Sequence, residues 1–167
     1  MKTKTKNILI VIGVFAALII FVGVVTSGFK NWGVGRTVNE DNLYTAECMT
    51  LKDTDDGYGV KITVNEDGSF KVKGTATKDV DYEIGTVTLD KGTYTITAFE
   101  DASRSTVYVS ANYDGLVTCA DFSDNTFTIA ADDTEVTLTL HVFTDAKLND
   151  TIYPVIVSGE EPGEFYK

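Results

Sequence analysis

Residues 135–143 read EVTLTLHVF. Val136, Leu138, Leu140 and Val142 fall on one side of an extended chain, and Thr137, Thr139, His141 and Phe143 on the other. Successive side chains of a strand point to opposite faces, so this period of two marks a strand with one apolar and one threonine-rich face. Such a strand belongs to an antiparallel sheet that buries one face only.

The same pattern extends in both directions. Upstream, Val60, Ile62 and Val64 alternate in 59–64, Asn65-Glu66-Asp67-Gly68 supplies turn chemistry, and 69–76 returns with Phe70 and Val72. Gly68 can take the positive φ such a turn needs, so 59–76 predicts a β-hairpin. Residues 84–89 and 93–99 predict two more strands around the turn Asp90-Lys91-Gly92. In 106–111, Val107 and Val109 oppose Tyr108. Asp114-Gly115 marks a turn before 116–120, 126–130 is short, and 151–157 closes the series. About eight or nine short strands with turns roughly every 8–12 residues predict an all-β fold of two packed antiparallel sheets.

The stretches GVKITVNEDGSFKVKGTAT (59–77), GTVTLDKGTYTITAF (85–99), TFTIAADDTEVTLTLHV (126–142) and NDTIYPVIV (149–157) carry a resemblance. Asp67-Gly68 forms a hairpin turn, and Gly74-Thr75-Ala76 ends the second strand. Leu89 with Lys91-Gly92-Thr93-Tyr94 makes an L-x-x-G-T-Y corner, and Tyr153-Pro154 sits in the last strand. In that order they resemble the jelly-roll, carbohydrate-binding-module-like domain of tail and minor structural proteins of Firmicutes phages and of bacterial surface proteins. The resemblance covers about residues 43–157. It implies an antiparallel jelly-roll β-sandwich with a binding or structural role, and no ligand residues transfer with it. Two departures stand out. Phe99-Glu100-Asp101 replaces the family's glycine turn, and the N-terminal segment suits a cell-surface protein better than a virion component.

That segment has Lys2, Lys4 and Lys6 ahead of ILIVIGVFAALIIFVGVV at 8–25, without charge or proline. A membrane span needs about 20 apolar residues, so 8–26 predicts a single transmembrane helix acting as a signal anchor. Lysines on its N-terminal side keep 1–7 in the cytoplasm and export the rest. Trp32, Lys30 and Arg36 suit an interfacial anchor. A cleaved secretory signal is the rival reading, with the same side of the membrane for 40–167. The organisation expected is a basic segment 1–7, an anchor 8–26, a stalk 27–43, a jelly-roll sandwich 44–157 and an acidic tail 158–167.

The chain carries −11; with three lysines and no acid in 1–27, the remainder carries −14. Such a surface repels phosphate backbones, which argues against nucleic acid as a partner. It suits calcium and neutral or cationic ligands. Asp53, Asp55 and Asp56 precede Gly57 in one loop, the right oxygen chemistry for calcium but without the glutamate of an EF-hand. Asp121, Asp124, Asp132 and Asp133 form a second acidic region. Ordinary solvated turn aspartates are the simpler reading of both. Outside the cytoplasm Cys48 and Cys119 could pair as a disulfide, contributing roughly 4 kcal/mol by loop-closure entropy; otherwise both are small hydrophobes.

Catalytic signals are absent. His141 is the only histidine and has no G-x-S-x-G serine to serve, and no nucleotide fingerprint occurs. Sugar recognition uses aromatic faces flanked by hydrogen-bonding groups. Tyr82, Tyr108 and Tyr113 are the candidate rings, with Asn112 and Asp114 beside Tyr113; core packing is the alternative for each. Asn149-Asp150-Thr151 is a glycosylation sequon, which the resemblance to bacterial and phage domains implies is silent. The expectation is a non-catalytic extracellular module, held to the cell membrane by its helix, that binds a glycan, envelope polymer or surface protein. The alternative is a structural or assembly β-sandwich of a membrane or surface complex.

Overall fold

The computed structural model describes residues 39–99, 106–120 and 124–164. The expected basic segment, the anchor at 8–26, Trp32 and most of the stalk lie outside the described residues. Among the described residues no helix is long and apolar enough to cross a membrane.

Val38–Lys167 form one compact unit. After a single 3-10 turn at Ala46–Cys48, its strands are β1 (Thr54–Asp55), β2 (Val60–Val64), β3 (Phe70–Thr75), β4 (Val80–Leu89), β5 (Gly92–Thr97), β6 (Val107–Tyr113), β7 (Leu116–Cys119), β8 (Thr126–Ile129), β9 (Thr134–Val142), β10 (Lys147–Ile152) and β11 (Val155–Ser158). All pairings are antiparallel. One sheet runs β4-β9-β6-β7, a second β1-β2-β3-β10 and a third β11-β5-β8. β10 and β11 are consecutive, parted only at Tyr153-Pro154, where Pro154 has no N–H to donate. Tyr153 N–H bonds Ala98 O at 2.8 Å, tying the break to the end of β5.

The alternation in β9 is as the sequence predicts: Val136, Leu138 and Leu140 are fully buried and Val142 nearly so. They share one hydrophobic core with Ile62, Phe70, Val72, Ile96, Ile129, Ile152 and Ile156 of the other two sheets. The fold is therefore all-β and sandwich-like. The L-x-x-G-T-Y corner has a physical basis: the Tyr94 hydroxyl reaches back to donate to Asp90 O at 2.8 Å, closing the turn between β4 and β5.

The structured domain begins before the expected boundary at 44. Asn42 is buried; its amide donates to Pro154 O at 3.1 Å and its oxygen accepts from Tyr44 N and Ile156 N at 3.1 and 3.0 Å. Asn39 donates to Glu164 O at 2.9 Å. The first part of the expected tail is also held, since Thr95 Oγ1 donates to Gly159 O and Thr97 Oγ1 to Gly163 O. With its own core and its ends bonded to each other, residues 38–167 hold what they need to fold alone.

Three strand predictions need correction. β4 starts at Val80 rather than 84, because a register shift between Glu83 and Gly85 reverses its alternation and hides the pattern. The last strand is two strands broken at Pro154, and β1 escaped notice because it is two polar residues long. The disulfide is not formed: Cys48 and Cys119 are free thiols. Next to Cys48, Met49 bridges to Gly85 on the open edge of β4, whereas Cys119 lies on β7 beyond β9 and β6. Four strand spacings of about 4.8 Å put them on the order of 19 Å apart, far beyond a disulfide's Cα limit of about 7 Å.

Candidate functional site

The face of β4-β9-β6-β7 that points away from the core collects the polar half of each strand. Register sets Asp81 opposite His141 and His141 opposite Tyr108; Ser110 lies opposite Thr139 and Asn112 opposite Thr137. Tyr108 stacks on His141 with centroids 4.5 Å apart and planes at 21°, and Phe143 tilts against Tyr108 at 5.8 Å. Phe143 is 40 % exposed. Three rings thus form a ridge at one end of the sheet. Burial raises the Tyr108 hydroxyl above its ordinary pKa, helped by Cys119 and Asp81.

Beside the ridge runs a chain of hydrogen bonds. Asp81 Oδ1 meets His141 Nδ1 at 2.8 Å, and His141 Nε2 meets Ser110 Oγ at 2.8 Å. Asn112 Nδ2 donates to Ser110 Oγ at 3.2 Å, Thr139 Oγ1 at 3.1 Å and Thr137 O at 3.2 Å. A carboxylate only accepts, so Nδ1 carries a proton towards Asp81. In the neutral tautomer with its proton there, Nε2 accepts from the Ser110 hydroxyl, which accepts from Asn112.

Asp, His and Ser in this order resemble a hydrolytic triad, but the exposure is inverted. A triad buries its carboxylate and presents its serine. Here Asp81 has its side chain 68 % exposed and Ser110 is fully buried. The chain holds the His141 ring against Tyr108 and leaves the serine out of reach of a substrate.

The structure separates the predicted ligand residues. Tyr108 and Asn112 share the outer face. Tyr113 has the parity of Val107 and Val109 and points into the core, its ring 5.0 Å from Phe127 and its hydroxyl 3.4 Å from Thr118 Oγ1. Asp114 takes φ 47° in the turn between β6 and β7, so it serves the turn. Tyr82 pairs with Leu140 on the inward side and donates its hydroxyl to Asp56 Oδ2. Burial, then that carboxylate, pushes its pKa up. His141, Phe143 and the threonines of β9 were visible as an outer face in the sequence. Their neighbourhood with Tyr108 needed the β6–β9 register, which alternation alone does not supply.

The predicted calcium ligands do not converge. Asp53 Oδ1 accepts from Val64 N, Asp56 binds Tyr58 N and the Tyr82 hydroxyl, and Asp55 stands opposite Lys61 in the β1–β2 register without an ion pair to it. In the second acidic region Asp132 accepts from Lys91 N, Asp133 takes φ 57°, and Asp121 lies outside the described residues. Among the described residues no three His, Cys, Asp or Glu are grouped to hold a metal.

No family profile and no curated protein matches the chain. Among solved structures, the chain is similar to one described as the crystal structure of accessory secretory protein 1, 2 and 3 in Streptococcus pneumoniae. The identity is 11 % and the TM-score 0.44, over 73 % of this chain and 98 % of that one.

Proposed function

We propose that the domain is a non-catalytic jelly-roll binding module whose β4-β9-β6-β7 face recognises a glycan or other cell-envelope polymer outside the cell. The strand orders support the jelly-roll assignment: β3, then β10 and β11, then β5 and β8 on one side, and β4-β9-β6-β7 on the other, form two Greek keys. The binding reading rests on one observation, the ridge of Tyr108, His141 and Phe143 flanked by Asn112, Thr137 and Thr139. Rings suit the C–H faces of sugars, and the amide and hydroxyls suit their hydroxyl groups. The face is shallow, which fits weak recognition made useful by clustering on a membrane.

Residues 38–167 should bind at least one member of a panel of glycans and purified envelope polymers saturably, with calcium tested in parallel. Tyr108→Ala and Phe143→Ala should each weaken that binding at least tenfold, about the energy of one stacked ring at a binding hot spot. Binding that survives both substitutions, or none by the folded domain, would overturn this reading.

A second reading is assembly with another protein through β7. Leu116 and Val117 are 57 % and 62 % exposed on this outermost strand of its sheet. An apolar outer strand is suited to strand pairing. Under this reading, a stoichiometric partner cross-links to the wild-type chain and is lost with Val117→Lys; an unchanged cross-link would exclude β7.

A further inference from the structure

The opposite face of the domain carries a different chemistry. Among the described residues there are seven lysines, and four of them, Lys61, Lys71, Lys73 and Lys147, lie on β2, β3 and β10. All four share the outward parity, alternating with buried Ile62, Val72 and Leu148. Lys61 stands directly opposite Lys73, and Lys71 lies two residues along β3. Lys147 is diagonal to Lys73, whose direct partner is Asn149.

This clustering carries an energetic cost. Like charges directly opposite on a sheet are destabilising, and the chain has 25 acids from which to draw partners. Asp55 is opposite Lys61 on the other flank, yet among the described residues none of the four lysines forms an ion pair. The patch is a concentration of positive charge on a chain of net −11. Between the lysines stand Thr63, Asn149, Thr151 and Thr75, and among the described residues no aromatic or large apolar side chain of β2, β3 or β10 lies on that part of the face.

We infer that this lysine face binds a linear anionic glycopolymer. Residues two apart on a strand are separated by about 6.7 Å, and cross-strand partners by about 5 Å. A polymer with a carboxylate, sulfate or phosphate on each successive sugar repeats its charge on a similar scale and can meet several ammonium groups at once. Flanking threonines and Asn149 offer hydrogen bonds to sugar hydroxyls. Among the described residues this face presents no apolar wedge to enter a bilayer and no ring to stack on bases, so its chemistry favours a polymer over a lipid surface or a nucleic acid. The inference does not depend on the Tyr108 face, which belongs to the other sheet.

The test is the affinity of residues 38–167 for heparin and polygalacturonate over a range of salt, repeated with the full chain in neutral detergent. The shorter form matters because it removes Lys2, Lys4, Lys6, Lys30 and Arg36. Binding should weaken steeply with salt, with a log–log slope of about −3 if four ammonium groups each displace close to one counterion. K71Q/K73Q should lower affinity at least tenfold, and K61Q/K71Q/K73Q/K147Q should abolish it, with the fold intact because all four side chains point to solvent. Phe143→Ala should leave this binding unchanged, which separates it from the sugar-stacking face. Absence of binding at low ionic strength, or binding unaffected by the glutamines, would overturn the inference. Tighter binding to anionic vesicles or single-stranded DNA than to either glycan would also overturn it.

Discussion

Gly85→Ala should destabilise the domain by about 3 kcal/mol, the upper part of the range for forced overpacking. A Cβ at residue 85 would sit 2.1 Å from Cys48 O, 2.5 Å from the Tyr44 hydroxyl and 2.9 Å from Met49 Cα. Two of these are backbone atoms, so the 44–49 segment has to lift off β4. Lifting it breaks the Met49 bridge to Gly85 and the bonds from Thr50 and Leu51 N–H to Ile84 O, and exposes Tyr44, now 2 % exposed. Chemical denaturation with tyrosine fluorescence reports both the loss of stability and the release of Tyr44. Gly115→Ala is the control. Its φ of 77° is strained for alanine but nothing lies within 4 Å, so it should cost about 1 kcal/mol. Equal costs at the two positions would mean that the overlap at Gly85 is relieved without moving the segment.

Phe70→Ala should cost about 3–5 kcal/mol, the usual range for truncating a fully buried aromatic ring. Phe70 is fully buried at the start of β3, paired with Val64 on β2 and Ile152 on β10. Ile152 is the last residue before the Tyr153-Pro154 break. The backbone is fixed on both sides by the ladder, which limits collapse into the space left. Phe143→Ala removes an equal ring from a position 40 % exposed and should cost under about 1 kcal/mol. Thermal melts of the two variants decide the matter; similar losses would mean that Phe70 does not carry the end of the core.

Much of this fold was legible in residues 59–99 and 126–157, where turn residues and alternation agree. β9 is the clearest case, because one pleat buries four aliphatic residues and the other shows threonines. β4 was half hidden. Val80, Tyr82 and Ile84 point inward before the register shift, and Val87 and Leu89 after it, so no single period spans the strand. Tyr113 could have been placed from its sequence, since it shares the parity of Val107 and Val109. Its position beside Asn112 and Asp114 suggested a binding cluster instead. Neither face chemistry was visible along the chain, because both depend on strands distant in sequence: His141 meets Asp81 and Ser110, and Lys61 meets Lys73, only after the sheets assemble. A linear reading finds which residues share a pleat but not which pleats become neighbours.

The bond from Asn39 to Glu164 and the clasp of Asn42 on Pro154 and Ile156 bring the two ends of the domain together. The polypeptide enters and leaves through a single doorway. A domain built this way can be carried as an insert in a loop of another protein without prying its host apart. Its own ends can be joined by a few residues and the ring reopened at Asp114-Gly115, giving a circular permutant with the same sheets. Tension on the incoming chain would be taken up by Asn39, Asn42 and the β11 edge. β4 meets that load next, through the bonds from Thr50 and Leu51 N–H to Ile84 O, while β9 and β6, which carry the Tyr108 ridge, lie behind it in the sheet.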